Sequence, residues 1–235
     1  MSDRTAKRYI EQAYSHQLGL RVLSKNKPLK AALTICCQSM TAMRAGMALT
    51  SPISFAITSG SYLQIRGANG VGKSTFLRQL AGLIPSDLGT MTINDKPYKP
   101  SQDRLSLKTV YLGHRDGLHG DLTAIENITL LCGSCPEEIV DTPLYQRPVS
   151  SYSAGQRQRL NILTLLDDAD LWLLDEPSSN LDGDNLVFLE RKIKSFIASG
   201  GIVIAATHAD IGEDDVTMRI HLEKVTSQPA EGGLL

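Results

Sequence analysis

Gly67-Ala68-Asn69-Gly70-Val71-Gly72-Lys73-Ser74-Thr75 decides how the rest of this chain is read. It fills every fixed position of G-x-x-x-x-G-K-[S/T], a loop whose glycines let successive backbone N–H groups turn toward phosphates. Tyr62-Leu63-Gln64-Ile65 reads as a strand entering the loop and Phe76 to Leu83 as the helix leaving it, the context the motif requires. The helix N-terminus adds partial positive charge, Lys73 reaches the β- and γ-phosphates, and the Ser74 hydroxyl holds Mg²⁺. An ordinary Gly-rich turn would not bring strand, helix, lysine and Ser-Thr together.

At 235 residues and 42% apolar content the chain is globular and long enough for one α/β domain with a small subdomain. Its net charge of −1 provides no basic field for gripping nucleic acid, so no nucleic-acid partner is expected. The charge is uneven. Residues 1–30 carry Arg4, Lys7, Arg8, Arg21, Lys25, Lys27 and Lys30 against Asp3 and Glu11, which leaves the remainder at −6. This segment lacks the apolar core of a secretory signal, and its acidic residues count against a transit peptide. It reads as a poorly ordered extension. Without a run of about eighteen apolar residues, nothing here reads as a bilayer span, and any membrane role is peripheral. Cys36-Cys37 and Cys132-Gly133-Ser134-Cys135 invite a zinc or redox reading. No second C-x-x-C or H-x₃₋₅-H follows, however, and reduced thiols are the default.

Ala31–Cys37 and Ile53–Ile57 read as strands, Met91–Asn94 as a short strand after the Gly89 turn, residues 96–101 as a loop by their prolines, and Thr109–Leu112 as a buried strand. Helical spacing runs from Leu122 to Leu131. Pro136–Val140 reads as a short helix and Pro143–Pro148 as a loop, so that residues 113–165 are mainly helical. The continuous apolar runs Leu171–Leu174 and Ile202–Ala206 are typical of parallel strands covered on both faces. Asn185–Ser199 is the helix between them, closed by Gly200-Gly201, and residues 227–235 form a polar tail.

Asp175-Glu176 at the end of the first run is a Walker B pattern, with one carboxylate for Mg²⁺ and the next to polarise attacking water. Tyr152-Ser153-Ala154-Gly155-Gln156 follows the loop in order, then Ser179-Asn180-Leu181-Asp182, then Thr207-His208. Taken singly, Ser153 could be a helix cap, Asp182 a turn former and His208 a solvated histidine. Taken in this order, the chain resembles the ABC-transporter ATPases, with residues 152–156 as their signature, 179–182 as their D-loop and His208 as their switch histidine. The resemblance implies a P-loop NTPase with a RecA-like parallel sheet core, an N-terminal antiparallel β part and a small helical subdomain at about 113–165, within a domain spanning 31–226.

Tyr111-Leu112-Gly113-His114, Leu122-Thr123-Ala124-Ile125-Glu126-Asn127, Leu171–Pro177 and Gly200–His208 further resemble the haem-exporter ATP-binding subfamily of the cytochrome c maturation system, over roughly residues 33–210. His114 then stands where most ABC ATPases carry the Q-loop glutamine, and unlike glutamine it can titrate near neutrality. Three further departures stand out. No Tyr or Phe lies between Leu33 and Arg44 to stack on adenine, the interval from His114 to Ser153 is short, and Asn161-Ile162-Leu163-Thr164 replaces an Ala-Arg-rich stretch.

The resemblance implies ATP as ligand, contacted by Gly67, Asn69, Gly70, Gly72, Lys73, Ser74, Thr75, His114, Ser153, Gly155, Gln156 and Asp182. Mg²⁺ falls to Ser74 and Asp175, and catalysis to Glu176, His208 and Lys73. It implies a homodimer with two ATP sandwiched between copies, Ser153 and Gly155 of one completing the site of the other. The expected partner is an integral membrane permease, and the expected place is the cytoplasmic side of the bacterial inner membrane, with a mitochondrial setting as the alternative. A soluble ABC ATPase acting on ribosomes or DNA usually carries tandem cassettes or a coiled-coil insertion, neither of which is present. A non-catalytic ATP-binding regulator is opposed by the intact Lys73, Asp175 and Glu176.

Overall fold

A computed structural model describes residues 30–86, 88–103, 106–114, 117–133, 143–179 and 181–225. Two sheets carry the fold. β1 (Thr34–Met40), β4 (Ile53–Thr58), β6 (Thr90–Ile93) and β7 (Lys96–Tyr98) form an antiparallel sheet in the order β4-β1-β6-β7. β5 (Tyr62–Arg66), β8 (Thr109–Leu112), β9 (Leu171–Asp175), β10 (Ile202–Ala206) and β11 (Met218–His221) form a parallel sheet in the order β11-β5-β10-β9-β8. A hairpin of β2 (Met43–Arg44) and β3 (Met47–Ala48) stands apart.

The apolar runs become central parallel strands because both of their faces are covered. Along β9, Leu171 and Leu173 point into a core shared with the antiparallel sheet through Ile35, Phe55 and Ile57, and with α1 (Lys73–Leu80) through Phe76, Leu77 and Leu80. Trp172 and Leu174 point the other way, onto Leu189, Ile193 and Phe196 of α4 (Gly183–Ala198). The period-two alternation thus divides one strand between two cores. A third cluster gathers Leu118, Ala124, Ile128, Tyr145, Val149, Tyr152 and Leu160 around α2 (Ala124–Cys132) and α3 (Ala154–Leu163).

Several local expectations are corrected. Residues 96–98 are strand rather than loop, because Asn94 and Asp95 both take positive φ and fold β7 back on β6. Pro97 is tolerated because β7 is an edge strand. The first strand begins at Thr34 and runs to Met40, with an irregularity between Cys37 and Met40. The helix after the phosphate loop starts at Lys73, inside the motif, and ends at Leu80. The helix expected from Leu122 starts at Ala124, since Thr123 caps it in a reciprocal box with Glu126. The described part of 113–165 holds α2, α3 and a 3₁₀ turn at Val149–Ser151, separated by irregular chain. The expected helix Pro136–Val140, the extension apart from Lys30, and the tail lie outside the described residues.

Candidate functional site

The C-terminal ends of the parallel strands bring the sequence motifs together, where open α/β sheets bind ligands. β5 ends at Arg66 and enters the phosphate loop, β9 ends at Asp175, β10 ends one residue before Thr207-His208, and β8 ends two residues before His114. The register pairs Ala206 with Asp175 on one side and with Ile65 on the other. Beyond it, the Glu176 N–H donates to the Ala206 carbonyl at 2.8 Å and the Thr207 N–H to the Ile65 carbonyl at 3.2 Å.

The loop itself depends on glycine at its two ends. Gly67 has φ of +145°, and a Cβ there would sit 2.8 Å from the Leu222 carbonyl oxygen. Gly72 caps α1 at φ +118°, where a Cβ would meet Ala42, Leu49 and Thr50, each at 3.2 Å. The cradle therefore stays open, with the N–H groups of the first turn of α1 left without intrahelical partners, as at any helix start.

Lys73, only 7% exposed, folds back over this turn. Its Nζ donates to the Gly67 carbonyl at 2.8 Å and lies 2.7 Å from His208 Nε2 and 3.9 Å from Glu176 Oε1. Burial lowers its pKa from the ordinary lysine value, and the carboxylates of Glu176 and Asp175 oppose that shift. An ammonium has only hydrogens to give, so His208 Nε2 is the acceptor and the ring proton sits on Nδ1. The 3.5 Å approach of Nε2 to Glu176 is then proximity rather than an ion pair. Glu176 takes φ of +50°, an unusual backbone for a non-glycine residue and of the kind found at functional sites.

Asp175 is 2% exposed, and both of its oxygens are engaged. Oδ1 accepts from Ser74 Oγ at 2.9 Å, and Oδ2 from the Tyr111 hydroxyl at 3.2 Å. Arg78 Nε donates to that same hydroxyl at 3.3 Å. Paired hydroxyl and carboxylate oxygens at the loop mouth are the hard donors a magnesium ion takes, so these residues fit the ion the motif implies. Sequence reasoning read Tyr111 as part of a strand and as the start of the Tyr111–His114 segment that carries the subfamily resemblance, and gave it no part in the metal site. Its link to Asp175 follows from the pairing of β8 with β9, which puts Tyr111 opposite Leu173.

The other expected site residues lie further out. His114 is exposed in the bend after β8, and among the described residues it is outside the bonded group around Lys73. Ser153 caps α3, accepting from the Gln156 N–H at 3.2 Å while Gln156 Oε1 accepts from the Ser153 N–H at 2.9 Å. Asp182 caps α4 through the Asn185 N–H at 2.9 Å. Asn69, Gly70 and Thr75 are in or next to the loop, Gly155 is on the first turn of α3, and Asn180 lies outside the described residues.

A phosphate loop with a buried lysine, a strand-end carboxylate pair and a facing histidine define a nucleotide-binding ATPase domain. The family model "ABC transporter" matches residues 50–179. Among solved structures, an ATP binding subunit of an ABC transporter superimposes with a TM-score of 0.68 at 20% identity, over 80% of this chain and 85% of that one. The ATP-binding cassette MJ0796, a dimer in a post-hydrolysis state bound to ADP and Pi, gives a TM-score of 0.68 at 21% identity, over 80% and 94%. Cytochrome c biogenesis ATP-binding export protein CcmA of Xanthomonas axonopodis pv. citri is 38% identical over 72% of this chain and 84% of its own. The proteins of that name from Rhodobacter capsulatus (30%, over 85% and 92%) and Vibrio cholerae (31%, over 77% and 94%) are also similar. The chain belongs to the ABC-transporter ATPases and, among them, to the CcmA family.

Proposed function

We propose that this chain is the ATP-hydrolysing subunit of an exporter that serves the assembly of c-type cytochromes, with haem or a haem-related compound as cargo. The observation that carries the catalytic part is the convergence of Lys73, Glu176 and His208 within 4 Å at the mouth of the phosphate loop. The relatives' printed names support the biological part.

In this reading the first-turn N–H groups of α1 and the loop glycines hold the β- and γ-phosphates, and Lys73 exchanges the Gly67 carbonyl for phosphate oxygens. Ser74 and Asp175 would hold Mg²⁺, which when bound neutralises phosphate charge as it builds up. Glu176 takes a proton from the attacking water, and its strained backbone aims the carboxylate toward Lys73 rather than along the strand. His208 leaves Lys73 and, with its ring proton moved from Nδ1 to Nε2, donates to the γ-phosphate, so the loop after β10 reports whether that phosphate is present.

The signature residues Ser153 and Gly155 lie on α3, and we assign them to the nucleotide of a second copy, a reading supported by the dimeric MJ0796 cassette. No helix among the described residues is long and apolar enough to cross a membrane. The force of the cycle would therefore act on a separate, CcmB-like permease, with this chain on the cytoplasmic face of the inner membrane. Deleting the gene in its own cell tests the assignment. Haem-stained c-type cytochromes should disappear and return with the wild-type chain but not with Lys73→Ala. Their persistence in the deletion would refute the biological role.

A further inference from the structure

Gln64 lies wholly buried in β5, a strand otherwise apolar up to Arg66. A buried amide is costly unless bonded, and here the bonds lead to one loop. Gln64 Nε2 donates to the Ile211 carbonyl at 2.9 Å, and its Oε1 accepts from Arg66 Nη2 at 2.9 Å and from Arg219 Nε at 3.3 Å. Arg66, the residue before Gly67, extends this hub to the loop after β10. Its Nη1 donates to the His208 carbonyl at 3.0 Å, and its Nη2 reaches Asp210 Oδ1 at 2.8 Å and Glu213 Oε1 at 3.0 Å. Arg219 pairs with the other oxygen of Glu213. Segment 208–213 is thus fastened to the strand that feeds the phosphate loop, and its first residue is the histidine resting on Lys73.

We propose that Arg66 is a positioning residue for His208. A rigid fork that binds the His208 carbonyl and the Asp210 carboxylate together fixes both the height and the direction of the imidazole over Lys73. Lysine, whose three donors share one nitrogen, cannot reproduce the planar fork in which Nη1 takes the His208 carbonyl and Nη2 the Asp210 carboxylate. Loss of the fork lets the loop drift while the phosphate cradle, built from other residues, keeps its shape. The effect falls on the hydrolytic step rather than on ATP capture. The proposal rests on the reading of His208 as the group that meets the γ-phosphate.

The test compares full-length wild type, Arg66→Met, Arg66→Lys, Asp210→Asn and His208→Ala. It uses kcat, equilibrium binding of a fluorescent ATP analogue, thermal midpoints and the nitrogen NMR signals of the His208 ring. Arg66→Met should lower kcat about tenfold or more, keep nucleotide affinity within about threefold, and shift the His208 signals. Arg66→Lys should fall between wild type and Arg66→Met, and Asp210→Asn should lose less in the same direction. Should Arg66→Met fail to fold, Asp210→Asn, which alters an exposed carboxylate, carries the test, with a smaller loss of kcat and a shift of the His208 signals expected. Wild-type kcat and unmoved ring signals in the Arg66 and Asp210 variants, with His208→Ala inactive, would overturn the proposal. So would a loss of kcat that follows the thermal midpoint alone. A fully active His208→Ala would instead remove the switch reading beneath it.

Discussion

Tyr111→Phe removes one oxygen from a place where the structure makes it matter. The ring packs on the shared core and would stay, so the loss falls on the two bonds of the hydroxyl, its donation to Asp175 Oδ2 and its acceptance from Arg78 Nε, of which the first bears on the metal. Burial, followed by the pull of the Arg78 bond in the other direction and the push of the Asp175 charge, leaves the phenol above its usual pKa, so it acts as a donor. A bond to a charged group contributes about 1.5–3 kcal/mol. At 3.2 Å this one is long for O–H···O, which places it near about 1.5 kcal/mol, or roughly tenfold in an equilibrium constant. That agrees with the 10- to 100-fold cost typical of losing a group that orients a metal-binding carboxylate. Titrating Mn²⁺ into the protein with ATP and following the free ion by electron paramagnetic resonance should show about tenfold weaker metal binding, with metal-free ATP affinity unchanged. Mn²⁺ affinity within twofold of wild type would show that Asp175 is held by Ser74 and its strand alone.

Trp172→Ala should destabilise the chain by about 3–5 kcal/mol in urea titration. The indole is fully buried, stacks on Phe196 at 3.8 Å between centroids and donates to the Leu166 carbonyl at 3.0 Å. A loss under about 1 kcal/mol would mean the α4 face repacks without it. A pH effect follows from the cap of α2, where Glu126 accepts from the Thr123 N–H and hydroxyl at 2.7 and 2.8 Å and is held below its ordinary pKa by those bonds. A depressed folded pKa gives stability that is present above the ordinary carboxylate pKa and lost as pH falls through the folded one. The stability gap between wild type and Glu126→Gln should therefore be full above the ordinary glutamate pKa of about 4.3 and shrink as pH falls below it through the lower folded pKa. A constant gap would show that the ionised cap contributes nothing.

The phosphate loop, the two apolar runs and the order of the motifs were legible because their information is local. Four fixed residues define the loop, and an unbroken stretch such as Leu171–Leu174 has no polar face to leave exposed. What escaped was set by long-range pairing. β11, with its alternating Met218-Arg219-Ile220-His221, becomes a strand only by adding to β5, and Pro97 hid an edge strand that two positive-φ residues impose. The bonds from Tyr111 to Asp175 and from Arg66 to His208 join residues 64 and 142 positions apart, so no local pattern reports them. For Ser153 and Asp182 the sequence allowed both a cap and a nucleotide contact. Their side chains cap α3 and α4 in this single chain, and the nucleotide contact we propose for Ser153 involves a second copy.

Glu176 is the residue on which the account of hydrolysis rests. A single-turnover assay of ATP cleavage by Glu176→Gln, run beside equilibrium ATP binding, tests it most directly. Glutamine keeps the shape and the backbone anchor at Ala206 but cannot take a proton. The account predicts cleavage at least about a hundredfold slower, with ATP affinity within a few-fold of wild type. Cleavage at more than about a tenth of the wild-type rate, with ATP still bound, would contradict it.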